Sequence, residues 1–309
     1  MKRILLTAVA VLMVLVPALA QQGDALPFTR IERDPVTAGM AGASVASGST
    51  VAYSAFRNAA LLPFASMERV DAAVSFQQWS PDVAKTTNLQ AGVAYKISDR
   101  MGVSVGFASQ SGEAYDQLNA DGSVGDSYTP KDLVAALGLG FGLSEKLSLG
   151  VNARYAKQDL APETSFSGVS GDVYVLYRPA QALNLTAGLS TLGTSVKSAT
   201  KKNFSQPASL LVAGSYDYQL AEDHSLQANL TADYYFSGNY GAAVGVEYAW
   251  KGMVYGRAGY RVASKEAVIP SHLGIGLGAK WNGIRLDVSY LTASKALGNT
   301  LAVGLGYSF

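Results

Sequence analysis

Apolar and polar residues alternate with a period of two along most of the chain. In the last such segment, every second position from Leu301 to Phe309 is apolar, and only alanine, glycine and serine lie between these positions. The preceding segment, residues 284–290, has the same pattern with Arg285 and Asp287 on its polar face. Because successive side chains of a strand point to opposite faces, the pattern predicts strands with one apolar face. Fourteen segments of this kind follow residue 69.

The connections between the predicted strands differ in length from one rim to the other. Short turns are predicted at residues 98–100 and 144–146, and long loops on the opposite side at residues 109–130 and 158–171. Short turns at one rim, long loops at the other and an even number of strands are typical of outer-membrane β-barrels. A soluble β-sandwich does not need one apolar face that continues over so many strands. The sequence therefore predicts an all-β fold, a 14-stranded antiparallel transmembrane β-barrel formed by residues 69–309.

The first twenty residues have the features of an export signal. Lys2 and Arg3 precede an apolar run, residues 4–16, and the small residues Ala18 and Ala20 have the spacing of a cleavage site. The apolar run is too short to cross a bilayer as a helix. We therefore expect residues 1–20 to be a signal peptide. The mature protein is expected in the outer membrane of a Gram-negative bacterium, in contact with outer-membrane lipid.

Composition excludes several classes of function. The chain has 24 Lys and Arg against 23 Asp and Glu, so it lacks the basic surface with which proteins bind nucleic acid. It has no cysteine, which removes thiolate metal sites, disulfides and cysteine nucleophiles. The two histidines, His224 and His272, are interpreted as solvated residues at the rims. The sequence thus predicts a protein that is not an enzyme and that uses no cofactor or metal.

Charged residues lie on the face opposite the apolar one, which a barrel turns toward its interior. A fourteen-stranded barrel is intermediate between small barrels filled by side chains and porins that hold water, so we expect something to occupy its interior. The charges could pair with one another or with a plug, or they could form a polar path or docking groove. The candidate polar residues of the interior are Lys96, Arg154, Asp233, Glu247, Arg257, Arg261, Arg285 and Asp287.

The stretch before the first predicted strand, residues 21–68, lacks alternation and is rich in small residues. Glycine and alanine allow backbone segments to pack closely in a confined space. The apolar residues of the stretch, among them Tyr53, Phe56 and Leu61, would be costly to leave in water. We therefore expect residues 21–68 to form an N-terminal plug, or hatch, rather than a flexible periplasmic tail.

Two short motifs in this stretch resemble those of a known family. Asp34-Pro35 precedes a run of small residues from Ala38 to Ala46, and a second motif begins at Asn58. These residues resemble the hatch pattern of the PorV/PorQ family, which belongs with the FadL long-chain fatty-acid transporters among fourteen-stranded outer-membrane barrels. The family's Asn-Pro-Ala reads Asn-Ala-Ala here. The resemblance marks the hatch motif as Asp34, Pro35, Gly39, Met40, Gly42, Asn58 and Ala60.

The resemblance implies two alternative functions. PorV-like proteins serve type IX protein secretion, which implies a component or cargo-docking barrel with secretion-machinery or exported proteins as partners. FadL-like proteins pass hydrophobic small molecules inward through a plugged barrel with a lateral opening. Both functions need the same fold, so the fold does not decide between them. The motif favours the secretion interpretation, and a channel for hydrophobic small molecules is the alternative.

Overall fold

The computed structural model describes residues 25–48, 50–79, 85–119, 121–197 and 203–309. The predicted signal peptide, residues 1–20, lies outside the described residues.

Strands make up most of the described chain. In chain order they are β1 (Val70–Trp79), β2 (Thr86–Ser98), β3 (Met101–Ser111), β4 (Tyr115–Leu118), β5 (Val124–Tyr128), β6 (Lys131–Ser144), β7 (Leu147–Ala161), β8 (Thr164–Ala180), β9 (Leu183–Gly193), β10 (Val196–Lys197), β11 (Asn203–Phe204), β12 (Ser209–Ala221), β13 (His224–Tyr235), β14 (Tyr240–Trp250), β15 (Val254–Ala263), β16 (His272–Trp281), β17 (Ile284–Thr292) and β18 (Thr300–Ser308).

Fourteen of the strands in the described ranges form one closed antiparallel barrel, as predicted. Strands that follow one another around the wall are paired, and β1 pairs with β18 to close it. The closing pair keeps one register from Asp71, opposite Ser308, to Gln78, opposite Leu301. Closure is physically required in a membrane, because an unpaired strand edge in hydrocarbon leaves backbone N–H and C=O groups without partners.

The two rims of the barrel differ in the length of their connections. Residues 99–100 and 145–146 are tight turns at one rim, whereas the connection from β3 to β6 at the other rim contains a separate hairpin, β4–β5. The prediction of a long loop at residues 158–171 is wrong. There β7 continues to Ala161 and β8 begins at Thr164, so a tight turn joins two long strands. The alternation fades because these strand ends carry polar residues on both faces.

The outward face of the barrel is apolar. Val105 is 56%, Leu230 54% and Leu277 70% exposed, although each lies in the middle of a strand. Apolar side chains in such a continuous outward band face lipid. Trp250 and Trp281 lie on the same face next to tight turns, where an indole sits at the level of the lipid headgroups. The architecture is that of an outer-membrane barrel, as predicted.

The N-terminal segment, residues 25–68, lies against the inner face of the wall in its described parts, 25–48 and 50–68. In its described part it contains one short α-helix, α1 (Pro35–Ala38), and 3₁₀ turns at Pro27–Arg30, Ser54–Phe56 and Ala59–Phe64. Within the described ranges, no helix is long and apolar enough to cross a membrane. Met40 and Leu62 are fully buried, because small residues of the wall allow the segment to approach closely.

Gly259 of β15 shows how close this approach is. A Cβ atom at Gly259 would lie only 2.7 Å from the Cα atom of Met40. A Cβ atom at Gly256, on the same strand, would meet no other described atom within 4 Å. The wall therefore needs glycine at position 259 for packing, whereas position 256 has room for a side chain.

We expect Gly259→Ala to lower the free energy of unfolding by about 1–3 kcal/mol, because overpacking forces the backbone to shift. Gly256→Ala is the matched control. It should leave stability unchanged or raise it by about 0.4–1 kcal/mol, since alanine restricts the unfolded chain. The measurement is the urea concentration at which the detergent-solubilised protein loses its heat-sensitive gel mobility. Equal midpoints for the two variants would contradict the close contact at Gly259.

Candidate functional site

Asp34 organises the N-terminal segment. Its carboxylate caps α1 by accepting a hydrogen bond from the backbone N–H of Val36 at 3.0 Å. It also accepts hydrogen bonds from the hydroxyls of Thr37 at 3.1 Å and Thr50 at 2.7 Å. The guanidinium of Arg57 lies 3.2 Å from the same carboxylate, and both side chains are more than nine-tenths buried. One buried charge thus joins the helix to two later parts of the segment.

The other residues of the first motif fit α1 into the wall. Pro35 is the first helical residue, a position that needs no backbone N–H. A Cβ atom at Gly304 of β18 would lie 2.9 Å from Pro35 Cγ. Gly39 faces Gly276 of β16 so closely that a Cβ atom on either residue would come within 3.3 Å of the other Cα atom. Gly42 has a φ of +84°, a left-handed conformation that favours glycine.

The second motif anchors a later part of the segment. Asn58 Oδ1 accepts a hydrogen bond from the backbone N–H of Ala60 at 3.1 Å. The amide nitrogen of Asn58 donates to the carbonyl of Val45 at 3.2 Å and to the hydroxyl of Thr186 in β9 at 3.3 Å. The hydroxyl of Ser148 in β7 donates to the carbonyl of Ala60. The motif residues therefore hold the segment to itself and to the wall.

Two groups of ion pairs line the interior beside this segment. Arg257 lies between two acids, with its Nε atom 2.5 Å from Glu247 and its Nη1 atom 2.6 Å from Asp287. Arg285 donates to Asp71 at 2.7 Å, and Asp71 accepts hydrogen bonds from two backbone N–H groups of the segment. A buried charge without a counter-charge is strongly destabilising, so these predicted interior residues are held by their mutual pairing.

Arg154 and Arg261 make further ion pairs in the interior. Arg154 pairs with Asp172 of β8. Arg261 donates to both carboxylate oxygens of Asp233, at 2.8 and 2.7 Å. Arg30 of the N-terminal segment lies 3.5 Å from the same Asp233 carboxylate and donates at 2.7 Å to Ser190 in β9. The segment thereby contributes a second arginine to a wall carboxylate.

Two predicted residues have surroundings that differ from those of the others. Lys96 lies at the rim with the tight turns, where its Nζ atom is 4.0 Å from Asp99, apart from the paired interior residues. The interpretation of His272 as a solvated residue is wrong. Its side chain is buried, and its Nδ1 atom lies 2.9 Å from the carbonyl oxygen of Pro270. It points into the interior because β16 begins with an inward-facing position.

A cavity of about 100 Å³ lies between the N-terminal segment and the wall. It is near the rim with the longer loops, because the lining residues Trp79, Tyr235 and His272 are at the strand ends of that rim. Aromatic and aliphatic side chains supply part of the lining. The charged residues that line the cavity are Arg30, Glu32, Arg33, Arg57, Arg154, Asp233 and Arg261.

Burial alters the ionisation of two of these groups in the segment. It raises the pKa of Glu32 above its ordinary value, although the nearby charge of Arg57 opposes this effect. It also lowers the pKa of Arg33 to about 10, and the positive charge of Arg154 adds to the change. Arg33 therefore stays charged at neutral pH. In the described residues, no group of three or more His, Asp or Glu side chains is placed to hold a metal ion.

The sequence pattern did not indicate Arg30, Arg33 or Asp172. The segment that contains the two arginines has no periodicity, so their direction could not be inferred from spacing. Asp172 lies where the pairing of β8 with β9 shifts register. Thr191 at this shift has a φ of +56°, and its backbone N–H donates to Asp172 at 2.7 Å. The signal that the sequence offers for Asp172 is its place after Gly171 and directly before the apolar positions that begin at Val173.

Comparison with solved structures finds the same fold in a toluene transporter, a monoaromatic hydrocarbon channel and a FadL homologue. The P. putida toluene transporter TodX matches with a TM-score of 0.60 and 14% identity, over 89% of this chain and 98% of that chain. The monoaromatic hydrocarbon channel CymD matches with a TM-score of 0.62 and 13% identity, over 89% and 97%. A Pseudomonas aeruginosa FadL homologue matches with a TM-score of 0.54 and 10% identity, over 89% and 98%.

This chain has the FadL-like barrel fold. At such low identities, the similarity concerns the fold alone. No family model and no curated protein sequence matches the chain. In the barrel wall, β3 stays paired with both neighbours along its length, whereas β9 stops pairing with β12 after Ser190. The finer resemblance to PorV/PorQ rests on the two motifs.

Asp34→Asn tests the buried charge at the start of α1. Asparagine still caps a helix, but it leaves Arg57 without its counter-charge, a change that costs about 3–5 kcal/mol in buried pairs. We expect faster hydrogen–deuterium exchange in peptides that cover residues 34–58. Glu113→Gln is the control, because it breaks an exposed pair with Lys85 and should leave the exchange unchanged. Identical exchange in the two variants would refute this role of Asp34.

Proposed function

We propose that this protein is an outer-membrane channel for hydrophobic small molecules, without enzymatic activity, that is closed by residues 25–68 as a plug. The observation that carries the proposal is the partly aromatic cavity between this segment and the wall, near the rim with the longer loops. The fold supports it, because TodX is described as a toluene transporter and CymD as a monoaromatic hydrocarbon channel. These similarities favour uptake over the type IX secretion interpretation.

The contacts of residues 25–68 support their role as a plug. The helix α1 packs against β16, β17 and β18, whereas the turn Ala59–Phe64 packs against β3, β6 and β7. These strands lie on different sides of the closed barrel. A segment that is held on both sides obstructs the interior, so a solute passes only through gaps beside it or after it moves.

The cavity offers such a gap with suitable surfaces. Leu211 and Leu291 of the wall supply aliphatic surface, and Tyr53 and Phe56 of the segment supply aromatic surface. Burial of apolar solute area on such surfaces is favourable by roughly 25 cal/mol per Å². An apolar cavity of about 150 Å³ in another protein holds one benzene molecule, so this cavity of about 100 Å³ limits the solute to no more than one aromatic ring.

Uptake of radiolabelled toluene by Gram-negative cells tests the channel. Cells that carry the protein should take up toluene severalfold faster than cells with an empty vector. Leu211→Trp should remove this gain, because the larger side chain fills the cavity. Leu230→Trp adds the same indole on the outward face and is the matched control. Equal initial rates with the unaltered protein and the empty vector, at confirmed surface levels, would exclude this channel function.

Deletion of residues 21–63 tests the plug. The wall closes through strand pairing, so the shortened protein should still form a barrel, and its interior should fill with water. We therefore expect a higher single-channel conductance in planar bilayers than for the full chain. A heat-sensitive gel mobility shows that the shortened barrel is folded. If that folded barrel conducts no better than the full chain, residues 25–68 are not a plug.

A further inference from the structure

The cavity beside the N-terminal segment carries an excess of positive charge. Of the described residues that line it, five are arginines and two are acids. Two of the arginines have partners just outside the lining, since Arg57 pairs with Asp34 and Arg154 pairs with Asp172. Even with these two carboxylates included, the arginines outnumber the acids. A cavity that served only neutral hydrocarbons would have no need for this surplus.

Arg33 accounts for part of the surplus. No carboxylate oxygen of the described chain lies within 4 Å of its guanidinium. The guanidinium instead donates to the backbone carbonyls of Ile31 at 2.9 Å and Phe28 at 3.1 Å, and it lies over the ring of Phe56 at 4.8 Å. Its positive charge is therefore not neutralised by a direct ion pair.

Three other arginines each have an N–H group that donates no hydrogen bond within the described residues. The Nε atoms of Arg57, Arg154 and Arg261 are buried and have no hydrogen-bond partner among the described residues. Each of these side chains is more than nine-tenths buried. Buried N–H groups are normally paired, so donors without partners beside a cavity indicate a missing acceptor. An acceptor with negative charge would also balance the surplus.

We propose that this cavity binds a small aromatic carboxylate of about the size of benzoate. The carboxylate accepts hydrogen bonds from the arginines, and charged bonds of this kind are stronger than neutral ones. The ring packs against aromatic side chains of the lining, such as Tyr53 and Tyr174. A cavity of about 100 Å³ has no room for a long acyl chain. This inference rests on the proposed channel function and names its solute class.

Calorimetric titration of the full-length protein in detergent at neutral pH tests the carboxylate. Benzoate should bind at least about tenfold more tightly than benzyl alcohol, which has the same ring but no charge. Benzoate should also bind more tightly than laurate, which carries the same charge on a long chain. Equal affinities for benzoate and benzyl alcohol, tighter binding of laurate, or no binding of benzoate would each overturn the inference.

Arg30→Gln locates the binding site. Arg30 is the suitable residue because it lines the cavity and shares Asp233 with Arg261, so its replacement removes a positive charge while Asp233 keeps its ion pair with Arg261. The affinity for benzoate should fall about tenfold, and that for benzyl alcohol should stay the same. Arg178→Gln is the control, since Arg178 donates at 2.9 Å to Asn184 outside the cavity lining. The same loss in both folded variants would place benzoate elsewhere and overturn the inference.

The outcomes also separate this inference from the channel proposal. Toluene uptake without binding of benzoate would leave the channel in place and overturn the carboxylate site. Binding of benzoate that Arg30→Gln weakens would support the site by a measurement that does not depend on transport. Absence of both toluene uptake and benzoate binding would contradict both proposals.

Discussion

Backbone hydrogen bonding in a hydrocarbon environment is the constraint on which the rest of this structure depends. A strand edge that faces lipid has no water to satisfy its N–H and C=O groups, so β1 must pair with β18 and the sheet must close. In the closed barrel the outward positions contact lipid and are therefore apolar, whereas the inward positions can be polar, small or charged. A barrel of fourteen strands is too wide for its own side chains to fill. The interior consequently needs either water or another part of the chain, and residues 25–68 lie there.

The charges of the interior follow from this arrangement. Inward-facing charges of the wall are removed from bulk water when the segment covers them, and leaving such a charge without a counter-charge is costly. Arg257 forms ion pairs with two acids of the wall, and Asp34 forms an ion pair with Arg57 inside the segment. Such pairs contribute little net stability, because the loss of hydration offsets their attraction, but breaking one of them is costly. The ion pair that joins the segment to the wall, Arg30 with Asp233, helps to define one position of the segment in the barrel. The glycines of the wall have the same effect, since Gly39 and Met40 fit only where Gly276 and Gly259 leave space.

Sequence periodicity predicts the wall well and the interior poorly, for a physical reason. Alternation is a local consequence of having lipid on one side, so it reveals the strands and most tight turns without knowledge of their partners. It fails at residues 158–171, where both faces of the paired strands are polar. The motif resemblance indicated Asp34 and Asn58, both of which make buried hydrogen bonds. Arg30 and Arg33 were not indicated, because a segment without regular structure has no period that tells where its side chains point. The prediction for His272 is wrong because a position at a strand end does not reveal what covers it.

In the proposed channel, the position of the cavity would link the binding of a solute to movement of the segment. Of its five arginines, Arg30, Arg33 and Arg57 belong to the segment, whereas Arg154 and Arg261 belong to β7 and β15 of the wall. A solute carboxylate that contacts both groups is held only while segment and wall are together. If residues 25–68 act as the proposed plug, their displacement would open a path through the barrel and would also separate the two groups of arginines. A ligand favours the state to which it binds more tightly, so the bound solute holds the segment in place. When the segment moves away and the path opens, the affinity of the site for the solute therefore falls. A channel built in this way needs only moderate affinity, since tight binding would keep both the solute and the segment in the barrel.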